Sequence, residues 1–282
     1  MRRGYADTSQ GQMHYYEAGK GAPLVMLHAS PRSGRVYDRL IPFLAERYRV
    51  IAFDTLGFGL SDPLPAGATM ESLATRVTEA MTSLGIRQAH LFGFHTGNKI
   101  GAALAANHAD RLHKFVLVGM THSIVIDRAK RDAAILDLVK DGMSGKVQDP
   151  AAVRLREWAK LGGWVGGMWF KADVIDRPNL SEDHLDMLGQ EIVDKVLSRR
   201  AFDPIYRANF AFDLTDAMKR IPVPTLIVEL VTPQEEHLGR QGEAVKKLFK
   251  NAELVVFEHT DRGVLEKEPN KLASAVLAFL AR

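Results

Sequence analysis

The pentapeptide GFHTG at residues 93–97 sets two glycines around a central His95, directly after the apolar run HLFGF. Glycines at this spacing let a chain bend sharply between a strand and a helix, with the central residue held strained at the tip. A histidine presented this way can take a proton, because its ordinary pKa of about 6.5 leaves it largely neutral at pH 7. It can also attack a carbonyl carbon and form a labile acyl-imidazole. The plainer reading is a degenerate turn in which His95 is filler. Strain of about 1–3 kcal/mol makes a bulky ring an expensive choice for a dead site.

Other residue types narrow the chemistry. The chain holds ten histidines but no cysteine, which removes thiolate nucleophiles, disulfides and cysteine-based metal sites together. No His/Asp/Glu spacing resembles a metal site, and no cofactor is called for. Trp158, Trp164, Trp169 and Phe170 crowd 13 residues, with glycines at 162, 163, 166 and 167 among them. Such a segment is either the small core of a helical region or an apolar roof loose enough to act as a lid.

The elements that would position these residues alternate along the chain. MHYYEAG (13–19), PLVMLHA (23–29), YRVIAFD (48–54), HLFGF (90–94), KFVLVGM (114–120), PTLIVEL (224–230) and ELVVFEH (253–259) read as strands. Most are continuous apolar runs, as expected for strands buried on both faces of a parallel sheet. Helical patterns fall between them at 70–85, 98–113 and 269–282. The expected class is therefore α/β, with a mostly parallel central sheet flanked by helices. Between Thr121 and Met218 no buried-strand run occurs, and the stretch reads as an all-helical insertion. The expected division is a core of residues 1–120 and 219–282 with a helical cap at 121–218.

Four segments in order resemble the α/β-hydrolase superfamily. LVMLHASPRS (24–33) is similar to the family's LLHGxPxS segment, and VIAFDTLGFGLSDP (50–63) to its VIAPDLRGFGxSD segment. GFHTG occupies the G-x-S-x-G elbow, and EKEPNKLASAVLAFL (266–280) resembles the family's ending. The resemblance implies the α/β-hydrolase fold and an oxyanion hole built from the amides of Ser30 and Thr96. It also implies a serine, an acid and a histidine, and each position departs. His95 replaces the serine. Val231, Thr232 and Pro233 stand where the acid is expected, with Glu229, Glu235 and Glu236 nearby but out of step. The histidine position falls on Asp261-Arg262, and His259 would serve only if its loop shifted.

The candidate catalytic set is thus His95, Glu229 and His259. Around it, His28, Arg32, His122, Trp164, Trp169 and Arg262 are candidate substrate contacts. His28 can equally be a structural residue tied to loop backbone, and His122 can cap the insertion. Arg262 can pair with Asp261 or Glu266, or join Arg32 in holding an anionic substrate. The leading expectation is hydrolysis of an ester, lactone or activated C–C bond in a small apolar or aromatic compound. Two alternatives stay open: a non-hydrolytic lyase, isomerase or cofactor-free oxygenase with His95 as base, and a ligand-binding protein without turnover. A net charge of +3 and the lack of any basic block give no support to nucleic-acid binding. No apolar run nears the roughly 20 residues of a membrane span, and no secretory signal is visible, so a cytoplasmic protein is expected. The oligomeric state, a homodimer included, stays open.

Overall fold

The computed structural model describes residues 1–119, 182–233, 239–260 and 263–282. Its strands are β1 (Arg2–Thr8), β2 (Gly11–Ala18), β3 (Ala22–Leu27), β4 (Tyr48–Phe53), β5 (Ala89–Phe94), β6 (Leu112–Val118), β7 (Thr225–Leu230) and β8 (Ala252–Phe257). They form one sheet in the order β1-β2-β4-β3-β5-β6-β7-β8. Pairing is antiparallel for β1 with β2 and β2 with β4, and parallel from β4 through to β8. This is the α/β-hydrolase fold expected from the sequence.

The apolar runs explain the layering. Successive residues of a strand face opposite sides, so a run apolar at every step needs cover on both faces. Val25, Leu27, Leu91, Leu117 and Ile227 pack on one face, where α2 (Met70–Ser83) and α3 (Thr96–Asn107) lie. Leu24, Met26, Phe92, Val116 and Val228 pack on the other, under α1 (Ile41–Leu44) and, at the end of the chain, Leu272, Val276 and Phe279. Each fully buried side chain of this kind contributes about 1.5–3 kcal/mol, which commits these strands to the centre of the sheet. Thr69 caps α2 through a reciprocal pair of bonds with Ser72.

Among the elements that differ from the sequence reading are an edge strand and α3. β1 was not anticipated: RRGYADT is too polar for a buried strand, and it forms because it is an edge partner of β2 across the Gly11 turn. The helix expected at 98–113 begins earlier, at Thr96, and stops at Asn107, because Leu112 already belongs to β6. Between β6 and β7 the described chain is helical, as α4 (Glu182–Ser198), α5 (Phe202–Ala211) and α6 (Leu214–Arg220). After β7 come α7 (Gly242–Lys246), α8 (Val264–Lys267) and α9 (Pro269–Leu280), with β8 between the first two. No helix among the described residues is long and apolar enough to cross a membrane.

Candidate active site

The carboxyl ends of β3, β5, β6 and β7 lie side by side, and the loops leaving them converge on one edge of the sheet. That edge is where open α/β sheets bind ligands. The turn between β5 and α3 occupies its centre. His95 sits there at φ 47°, ψ −104°, a left-handed conformation a bulky side chain adopts only when its surroundings impose it. The surroundings do so through tight packing. A Cβ on Gly97 would stand 1.9 Å from the Leu27 carbonyl oxygen, and one on Gly93 would stand 2.8 Å from the Gly97 carbonyl oxygen. Asn98 then ties the turn to β6, its Nδ2 donating to the Val118 carbonyl at 2.9 Å and to the Gly119 carbonyl at 2.8 Å.

His95 is partly exposed as a residue, while its Nε2 is buried. The ring meets the Phe94 ring edge to face at 4.4 Å between centroids. Its Nε2 side faces Gly119, where a Cβ would come within 3.1 Å of that nitrogen. The imidazole therefore fits because residue 119 has no side chain. Sequence reasoning missed both Asn98 and Gly119, since their roles depend on which strand lies beside β5.

The two positions implied for an oxyanion hole meet in space. Ser30 and Thr96 are each 6% exposed, and the Ser30 N–H donates to Thr96 Oγ1 at 3.2 Å. His28, a candidate substrate contact or a structural residue, is held by loop backbone, as the second reading has it. Its Nε2 accepts the Thr55 N–H at 3.0 Å, so Nδ1 carries the proton and donates to the Ala29 carbonyl at 2.9 Å. Burial lowers its pKa, keeping the ring neutral despite the nearby Asp54 carboxylate. Asp54 fixes its own loop, accepting from Gly34 N at 2.6 Å, Leu60 N at 3.0 Å and His14 Nδ1 at 2.9 Å.

Arg32 is corrected as a substrate anchor. Its guanidinium is 4% exposed and is taken up by Asp194 and Glu266, each at 3.3 Å. Burial works against its charge, but Glu266 and Asp194 outweigh that and raise its pKa. Asp194 belongs to α4, whose Glu191 and Lys195 form a second buried ion pair at 2.7 Å. The same helix holds the loop after β3 directly. Asp194 accepts the Ser33 N–H at 3.3 Å, and Ser198 Oγ donates to the Pro31 carbonyl at 3.3 Å. Nothing in the sequence spacing joins residues 31–33 to α4; the fold alone does.

Glu229 and His259 are corrected as catalytic partners. Glu229 Oε1 accepts the backbone N–H groups of Gln241 and Gly242, at 2.7 and 2.8 Å, and so anchors the entry to α7. His259 is exposed on the turn after β8, at φ 54°. Neither is a partner of the elbow histidine. His122, Trp164, Trp169 and Arg262 lie outside the described residues, as do Glu235, Glu236 and Asp261.

Comparison with known proteins agrees with this fold. Residues 22–161 match the sequence profile of the alpha/beta hydrolase fold family. A non-heme haloperoxidase of Rhodococcus erythropolis is 27% identical over 98% of both chains. Haloalkane dehalogenase 2 of Mycobacterium tuberculosis is 35% identical over 39% of both chains. Among solved structures, an epoxide hydrolase, CorEH, superposes with a TM-score of 0.79 at 23% identity, covering 99% of this chain and 98% of that one. The sheet order, the glycine-framed elbow and the profile match over residues 22–161 together show that this chain has the α/β-hydrolase fold.

Proposed function

We propose that the protein is an enzyme hydrolysing an ester, lactone or activated C–C bond in a small apolar or aromatic carbonyl compound, with His95 in place of the usual serine. The observation that carries this reading is the strained elbow, which holds an imidazole one residue from the Ser30–Thr96 pair. In the base mechanism, neutral His95 accepts a proton from water as its oxygen bonds to the carbonyl carbon. The carbonyl electrons move onto oxygen, and hydrogen-bond donors at Ser30 and Thr96 hold the resulting anion. The intermediate collapses, the bond to the leaving group breaks, and imidazolium returns the proton to it. In the nucleophile mechanism His95 itself attacks, and water then hydrolyses the acyl-imidazole. The helical region between β6 and β7 is read as a cap over this site, and the compartment as the cytoplasm.

A second reading keeps His95 as base but without hydrolysis, abstracting a C–H proton next to a carbonyl while the same donors hold an enolate. The haloperoxidase among the relatives, whose name is not that of a hydrolase, supports keeping it.

The test compares wild type with His95→Ala on a panel of aryl esters and lactones, with circular dichroism as a check on folding. The variant should fold normally and lose turnover, because its smaller side chain fits the same turn. A fluorophosphonate probe should label neither protein. Retention of near-wild-type kcat/KM by His95→Ala, or rapid labelling of a serine, would refute the assignment.

A further inference from the structure

Thr96 is buried, and its hydroxyl makes one hydrogen bond, as acceptor of the Ser30 N–H at 3.2 Å. A hydroxyl has a proton to donate as well as lone pairs to receive. Within α2 that proton goes to helical backbone. Thr75 donates to the Glu71 carbonyl at 3.1 Å, Thr78 to Thr75 at 2.7 Å and Thr82 to Thr78 at 2.9 Å. Thr96 lacks this outlet, because it opens α3 and the residue four places back, Phe92, lies in β5. Its proton has no acceptor among the described residues. A buried donor left unspent costs free energy unless something supplies an oxygen.

The geometry points to the Thr96 hydroxyl as the donor that meets the substrate's carbonyl oxygen, with the Ser30 N–H supporting it from behind. This deepens the proposed function and rests on it, for it replaces one of the two backbone amides expected in the oxyanion hole. The Ser30 amide is directed at Oγ1, so it acts on the ligand by polarising the O–H rather than by direct contact. Hydrogen bonds in such a chain strengthen one another. The arrangement selects an apolar compound that carries an acceptor oxygen, and it gives no help to one that lacks the oxygen.

Binding of acetophenone and ethylbenzene, which share shape and differ in that oxygen, isolates the contact. Dissociation constants would be measured by NMR titration for wild type, Thr96→Val and Thr96→Ser. Thr96→Val keeps the volume and loses the donor, so it should weaken acetophenone by about fivefold to tenfold, the worth of one neutral hydrogen bond. Ethylbenzene should bind all three proteins alike, and Thr96→Ser should match wild type on both ligands. Equal weakening of both ligands by Thr96→Val would make Thr96 a shape residue and overturn the inference. So would tighter acetophenone binding in Thr96→Val, which would mean that the hydroxyl obstructs the Ser30 amide. If wild type binds neither compound, the inference and the aromatic-carbonyl reading fall together. Selective loss in Thr96→Val beside full turnover in His95→Ala would remove only the catalytic assignment.

Discussion

Replacing Arg32 by methionine removes one cation from the ionic cluster between the loop after β3 and α4. Methionine fills much of the volume, so the dominant loss is electrostatic. Asp194 and Glu266 would then keep buried carboxylates without their shared partner. Breaking a buried pair from one side costs about 3–5 kcal/mol, far above the few tenths of an exposed surface change. The pH dependence gives a second check. Burial already raises the Glu266 pKa, and Arg32 is the main influence opposing that rise. Without Arg32 the folded-state pKa climbs further above the unfolded value of about 4.3. A raised folded-state pKa means the native chain binds a proton that the unfolded chain releases, so stability falls as pH rises through it. The deficit of Arg32→Met should therefore be largest near pH 8 and shrink towards about pH 5. Urea unfolding at both pH values, followed by tryptophan fluorescence, measures this. Glu266→Gln in the same background should recover part of the loss, since the two sites share one network. A cost under about 1 kcal/mol at neutral pH, or a deficit that grows in acid, would refute the reasoning.

Gly97→Ala should destabilise the protein by more than about 2 kcal/mol or prevent folding, because its Cβ would stand 1.9 Å from the Leu27 carbonyl oxygen. A urea midpoint equal to that of wild type would show that the elbow can relax. Glu229→Gln retains an acceptor for the Gln241 and Gly242 amides and should keep both stability and kcat/KM. Glu229→Ala should lower stability by about 1–3 kcal/mol while active-site titration shows an unchanged rate per folded molecule. Loss of turnover in a stable Glu229→Gln protein would instead return Glu229 to the catalytic set.

Much of the architecture is legible in sequence because local pattern and tertiary demand coincide. Runs such as PLVML and LFGF are apolar at every position, and only a strand covered on both faces satisfies that. GFHTG announces its turn because close backbone approach at residues 93 and 97 leaves room for glycine alone. β1 escaped notice because an edge strand draws its stability from its neighbour's hydrogen bonds rather than from its own apolar pattern. The site divides along the same line. His95 stood out because its chemistry and its turn are adjacent in the chain. The fates of His28, Arg32 and Glu229 depended on Thr55, Asp194 and Gln241, at separations of 27, 162 and 12 residues. Residue type shows which bonds a side chain can make. Which bonds it does make is decided by what the fold brings within about 3 Å, and a buried polar group takes the first partner offered because leaving it unpaired costs more.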